Sequence, residues 1–297
     1  MECKESGAEL NGVQSCEAGL RRAESATACI SDDSLAEAAK LIKAGELVVI
    51  PTDTVLGIVC NPFDSAAIEK LYEAKKRPKN KALQVLLASI EDAETAKLHI
   101  PQVLKPLCEA FLPGPFSPVL TAESGCELET LKKADNPANE ESNVCTQAVR
   151  VPDFPALTEL LKITGPLAAS SANISGCDCA ENIGQAVKYF GDKVSLYLYS
   201  PEFSRDEFSD EFSDECSAEC SDECSVECSD ECSVAYCADA SAAAASQAGS
   251  RANPPEGTVA STVIASDGNS RSGIKIIREG AIEKERIYSV LQAARNR

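Results

Sequence analysis

Helical and strand spacings alternate along much of this chain. In SDDSLAEAAKLIKAG, Leu35, Ala38, Ala39 and Ile42 recur at helical spacing, Ser31 or Asp32 offers an N-cap, and Gly45 supplies a stop. LVVIP follows as four apolar residues closed by Pro51, the pattern of a short strand buried on both faces. PTDTVLGIVCNP then reads as a turn leaving that strand end, a frequent place for binding groups in α/β folds. A second helix is predicted over SAAIEKLYEAKKRP, with Ile68, Leu71 and Tyr72 on its apolar face, and ALQVLLAS reads as another buried strand. VLKPLCEAFLPGPFSPVLTA predicts a helix, a PGP turn and a strand, while AVRVP, FPALTELLKIT and GPLAASSANISG predict strand, helix, strand and polar turn. GTVASTVIAS and GIKIIREG regain strand character, and EKERIYSVLQAARN predicts a closing helix. Such alternation predicts an α/β domain over 31–297 with a twisted mixed sheet and flanking helices.

Three segments depart from this pattern. Residues 1–30 lack periodicity and read as a loose, disordered tail, and 121–147 read as a long exposed loop. From 201 to 256 runs a low-complexity insertion with a four-residue repeat of Ser, Asp, Glu and Cys, expected to stay disordered because it has little apolar surface to bury. These segments change the meaning of the net charge of −19, which by itself opposes a polyanionic partner. They hold the whole excess of acid, 15 acids against 2 bases in 201–256 alone, so the remaining core is neutral.

At 297 residues and 44% hydrophobic, the chain has the material for a substantial core. It contains no apolar run of about 18 residues and no N-terminal signal pattern, so it is expected to be cytoplasmic, with no membrane partner and its 15 cysteines reduced. His99 is the only histidine, which excludes a histidine-rich metal site and leaves a Ser-His-Asp triad only through His99 itself. It sits at a predicted helix end, where a surface or packing role is the simpler reading.

Neither a P-loop nor a dinucleotide-binding glycine fingerprint is present, so a nucleotide would have to be held in another way. Lys75-Lys76-Arg77-Pro78-Lys79-Asn80-Lys81 places five cations in seven residues at a helix end. The cluster suits a triphosphate, with an Arg fork and a Lys point charge, although on charge alone a solvated helix terminus is the simpler explanation. Ser171 and Asn173 lie two residues apart at a strand end, where a hydroxyl and an amide can grip a phosphate or merely close a turn.

Taken in order, PTDT after a strand, K-x-R-P after a helix, PGP, AVRVP, SSAN, STV and a late IIR resemble the YrdC/Sua5 family of threonylcarbamoyl-AMP synthases over roughly 35–200 and 257–285. The resemblance implies a YrdC-like sheet around a large concave nucleotide-binding cavity. It also implies nucleotidyltransferase chemistry, in which L-threonine, bicarbonate or CO2 and ATP give threonylcarbamoyl-AMP and pyrophosphate for tRNA modification. By resemblance, Lys75, Arg77, Ser171 and Asn173 form the catalytic phosphate site, Thr146 and Arg278 add ATP contacts, and Thr52, Arg150 and Ser261 bind threonine. Mg²⁺ would be held mainly by the ATP phosphates and water, and the tRNA threonylcarbamoyl-transferase complex would receive the product. Leu56 replaces a frequent aromatic residue of the family, Ser117 a threonine and Glu279 a proline, and the acidic insertion replaces a short loop. A double-stranded RNA- or tRNA-binding module of the same fold without synthase activity is the alternative.

Overall fold

Ser31 starts the first helix: its hydroxyl accepts from the Ser34 N–H while Ser34 Oγ accepts from the Ser31 N–H, a reciprocal cap. Helix α1 (Asp32–Lys43) then buries Leu35, Ala38, Ala39 and Ile42, the stripe predicted from spacing, and Gly45 follows at φ 77°. Helix α2 (Ser65–Ala74) is capped by the Asp64 carboxylate, which accepts from the N–H groups of Ala66 and Ala67. This computed structural model describes residues 26–133, 144–200 and 260–296. The predicted insertion at 201–256 and most of the predicted tail lie outside the described residues.

The described strands are β1 (Thr27–Cys29), β2 (Val48–Ile50), β3 (Gly57–Cys60), β4 (Gln84–Leu86), β5 (Leu98–His99), β6 (Phe116–Ala122), β7 (Lys132–Lys133), β8 (Cys145–Arg150), β9 (Leu167–Ser171), β10 (Leu196–Tyr199), β11 (Thr262–Ser266) and β12 (Ile274–Arg278). They form one mixed sheet in the order β1-β10-β2-β3-β9-β4-β8-β6-β11-β12, with β5 on β6 and β7 on β8. The remaining helices are α3 (Asp92–Thr95), α4 (Lys105–Phe111), α5 (Pro155–Thr164), α6 (Ile183–Phe190) and α7 (Lys284–Arg295).

Alternation along the strands divides the core. Val49, Ile58, Cys60 and Ala168 face α2 and α6, whereas Val48, Ile50, Val59, Leu167 and Ala169 face α1 and α5. Farther along, Phe116 and Ile264 pack with α4 and α7, while Val85, Leu120 and Val149 pack with Ala93 and Leu98. Each fully buried aliphatic side chain contributes about 1.5–3 kcal/mol by leaving water.

Several boundaries differ from the sequence reading. Thr27–Cys29 is not part of a loose tail: it pairs in parallel with Tyr197–Tyr199 at the sheet edge, a tertiary partner that no local pattern announces. GIVC is not a turn but the buried strand β3, antiparallel to both β2 and β9. Helix α6 was not anticipated, although Ile183, Ala186, Val187 and Phe190 fall on one buried face and Asn182 caps it. The exposed loop expected at 121–147 is shorter, because β6 runs to Ala122 and β8 starts at Cys145. Leu128 and Thr130 within it are buried, with Thr130 Oγ1 donating to Gln147 Oε1 at 2.6 Å. His99 lies in a short strand paired with Thr121, not at a helix end, and is exposed.

One consequence of the register positions the site. Gln84 is opposite Ala169, Leu86 opposite Arg150, and Val119 opposite Ala148, so Gln84, Ser117, Thr146, Ala148, Arg150 and Ser171 share one sheet face. Helices α1 and α5 cover that face at Leu86, Leu167 and Ala169, whereas Gln84, Thr146, Ala148 and Ser171 stay half-buried beyond them. The polar residues Gln84, Thr146 and Ser171 thus lie on the stretch of this face beyond the helices.

Candidate substrate-binding site

Lys75 ends α2, and its side chain turns inward instead of continuing the basic helix terminus into water. It is 1% exposed, and its ammonium donates to the Ser171 carbonyl, to the Asn173 carbonyl at 2.7 Å and to Asn173 Oδ1 at 3.1 Å. Asn173 Oδ1 also accepts from Ser171 Oγ at 2.6 Å, and Asn173 Nδ2 donates to the Cys177 carbonyl at 2.6 Å. Residues nearly a hundred positions apart therefore form one cationic knot where β9 ends. The Lys76 backbone, at φ 48°, makes the turn that separates Lys75 from Arg77.

Arg77 is half-buried and donates from Nη2 to the Ala82 carbonyl at 2.8 Å, while its Nε is buried without a hydrogen-bond partner. Lys76, Lys79 and Lys81 are exposed, so the five-cation run divides into two inward charges and three outward ones. The three Lys75 N–H groups are all taken, so towards an anion such as phosphate Lys75 acts by its charge, while the Arg77 N–H is the donor left unmet.

Burial pushes the Lys75 ammonium down to about 7, the nearby Arg77 charge acts in the same direction, and Cys179 opposes them. Burial likewise lowers Arg77 from its ordinary value, with Tyr72 opposing. The charged form of Lys75 therefore recedes as pH rises through about 7, and inorganic pyrophosphate should bind several-fold more weakly at about pH 8.5 than at about pH 6. Lys75→Arg should flatten that dependence in a calorimetric titration. Stability should move the other way: between about pH 7 and pH 10 the unfolded chain holds more protons at this lysine, so Lys75 makes the fold more stable as pH rises.

Arg150, at the end of β8, forms a second group. Its Nε donates to the Gly114 carbonyl at 3.1 Å, Nη1 donates to Thr54 Oγ1 at 2.8 Å, and Nη2 lies 2.5 Å from Asp53 Oδ1. The last contact is close but is not aligned as a hydrogen bond. Thr52 faces into its own turn: Oγ1 donates to the Val55 carbonyl at 2.7 Å and accepts from the Thr54 and Val55 N–H groups. The Thr52 hydroxyl thus closes its own turn.

Ser261 belongs to a third group. Its hydroxyl lies 2.8 Å from Ser117 Oγ, which accepts from Gln84 Nε2 at 2.7 Å, and Arg278 donates to both the Ser261 hydroxyl and carbonyl. A Cβ at Gly280 would meet the Ser261 carbonyl carbon at 2.5 Å, so glycine lets the chain after Arg278 run against Ser261. Thr146 is half-buried and makes only a long contact of 3.4 Å to the Lys132 carbonyl.

The nine candidates thus fall into a phosphate-type knot, a buried Arg150 turn and a serine-arginine chain, with Thr146 beside the knot's end of the shared face. Sequence reading did not assign Gln84 or Asp53 to the site. Gln84 was signalled by its amide within the otherwise apolar ALQVLL, and Asp53 by its place between two threonines after a strand. A surface depression of about 470 Å³, lined by Ile90, Leu112, Val151 and Phe154 among others, includes none of the nine. Charge and hydrogen bonding mark the site. Among the described residues no group of three or more His, Cys, Asp or Glu could hold a metal.

Residues 40–210 match the Sua5/YciO/YrdC family model, described as "Telomere recombination", which takes in more than half of the chain. A putative threonylcarbamoyl-AMP synthase of Mycobacterium tuberculosis is 38% identical over 157 residues, covering 53% of this chain and 68% of the relative. The threonylcarbamoyl-AMP synthase of Bacillus subtilis is 35% identical over 147 residues, covering 49% of this chain and 40% of the relative. Pyrococcus abyssi Sua5 complexed with L-threonine superposes with a TM-score of 0.60 at 23% identity, over 89% of this chain and 59% of that one. Escherichia coli YciO gives 0.59 at 15% identity, over 88% and 98%. The two structures share the fold, and the chain spans well under two thirds of the Bacillus and Pyrococcus proteins.

Proposed function

From the premise that the chain belongs to the Sua5/YciO/YrdC family, we propose that it is a nucleotidyltransferase making threonylcarbamoyl-AMP from L-threonine, bicarbonate or CO2 and ATP. The observation that carries this reading is the knot at the end of β9, where buried Lys75 meets Ser171 and Asn173 beside the unpartnered Nε of Arg77. Relatives named threonylcarbamoyl-AMP synthase and a related fold solved with L-threonine support it.

In this reading the threonine amine captures carbon dioxide to give a carbamate, releasing a proton. A carbamate oxygen then attacks the α-phosphorus of ATP, and the bond to the leaving pyrophosphate breaks. Charge accumulates on phosphate oxygens throughout, so fixed donors aimed at them accelerate the step without a protein nucleophile. Lys75 and Arg77 supply two fixed cations, Ser171 and Asn173 hold Lys75 in place, and Arg278 and Thr146 extend the nucleotide side. Arg150, with Thr52 and Ser261, forms the amino-acid side. Mg²⁺, if carried in on the ATP phosphates, neutralises part of their charge. The product would pass to the enzyme complex that loads tRNA in the cytoplasm.

Pyrophosphate release from ATP, bicarbonate and Mg²⁺, measured with and without L-threonine, tests the proposal. Release that requires threonine is expected. Release at the same rate without threonine would remove the reading.

A further inference from the structure

Among the described residues, ion pairing is almost all superficial. Four of the five pairs among the described residues have side chains at least 36% exposed, whereas those of Arg150 and Asp53 are 6% and 10% exposed. The pair is also incompletely satisfied: Arg150 Nη2 and both Asp53 carboxylate oxygens are buried and make no hydrogen bond. Buried charges in that condition are costly, and they mark places where ligand groups complete the bonding.

The geometry limits what such a ligand is. Gly114 and Thr54 hold Arg150 by Nε and Nη1, which fixes the guanidinium plane without help from Asp53. What is left unsatisfied is one cationic N–H edge beside one carboxylate. Their complement is a molecule with a carboxylate and an ammonium on neighbouring atoms, the head group of a free α-amino acid. A carboxylate alone would match Arg150 and be repelled by Asp53, and an amine alone would meet the reverse.

We propose that Asp53 binds the α-ammonium of the amino-acid substrate while Arg150 binds its carboxylate, so that the pair selects a zwitterion; this rests on the threonine reading given above. Binding exchanges one poorly aligned internal contact for two charge-assisted hydrogen bonds. Asp53 is then a specificity residue and more than a support for Arg150, whose orientation the Gly114 carbonyl and Thr54 already secure.

Calorimetric titration with L-threonine and with 2,3-dihydroxybutyrate, the same skeleton with the amine replaced by a hydroxyl, tests the assignment. The wild-type chain should prefer threonine by roughly tenfold or more, and Asp53→Asn should reduce that preference to near unity while dihydroxybutyrate binds as well or better. A preference that survives in Asp53→Asn, or equal weakening of both ligands, overturns the role. Equal affinities in the wild-type chain overturn it without any variant, which covers the case where Asp53→Asn fails to fold. Threonine binding with an unchanged preference removes only Asp53, whereas no threonine binding by the wild-type chain removes the threonine reading as well.

Discussion

Lys75→Ala should lower threonine-dependent pyrophosphate release by roughly three orders of magnitude, the scale seen when one preorganised group that stabilises developing negative charge is removed. It should also lower Tm by several degrees. A surface lysine would not do this, but the Lys75 ammonium satisfies the Ser171 and Asn173 carbonyls and Asn173 Oδ1 in a buried place. Leaving such acceptors unmet costs about 1–3 kcal/mol, and a degree scale of about 2–4 °C per kcal/mol applies to domains of roughly this size. Lys81→Ala, six residues along in the same basic run and exposed, is the control and should change neither quantity. Pyrophosphate assays and thermal melts on the two variants decide the matter. Wild-type turnover in Lys75→Ala would reduce the knot to a packing device.

Arg150→Ala carries the largest expected loss of stability. It leaves the Asp53 carboxylate buried without its counter-charge and strips donors from Thr54 Oγ1 and the Gly114 carbonyl. Breaking a buried pair from one side costs about 3–5 kcal/mol, equivalent to a Tm lower by on the order of 10 °C. Removing both charges in Asp53→Ala/Arg150→Ala should restore part of that loss, because no uncompensated charge then remains. Threonine-dependent turnover should not return with it. A single variant that melts like the wild-type chain, or a double variant no more stable than the single, would show that the pair is not energetically coupled.

The two buried charges act in different places. Lys75 is tied to the backbone of the segment that follows β9, so its loss is felt at the phosphate side and only modestly in the fold. Arg150 ties the turn after β2 to the Gly114 carbonyl before β6, so its loss is felt in the fold first.

Much of the architecture was legible locally. Helices α1, α2, α5 and α7 follow from apolar residues at helical spacing, and β2, β4 and β9 from short apolar runs ended by Pro or polar turns. Motif order also singled out Lys75, Arg77, Ser171 and Asn173 before any contact between them was known. Strand β3 was hidden because the turn signals of PTDT dominate the window that contains GIVC, and β1 was hidden because its partner among the described strands is β10, about 170 residues away.

By itself, then, the sequence determined the alternation of helices and strands, the residue types available for anion binding and the concentration of excess acid in 1–30, 121–147 and 201–256. Tertiary structure alone decided which charges become a site. Five cations look alike in KKRPKNK, but the positive φ at Lys76 and the carbonyls at the end of β9 draw Lys75 inward while Lys76, Lys79 and Lys81 stay in water. Asp53 and Arg150, 97 residues apart, become a buried pair only because the turn after β2 meets the end of β8. Periodicity records which face of an element is apolar. The burial of a charge and the partner it finds depend on how distant elements stack, and no local spacing encodes that.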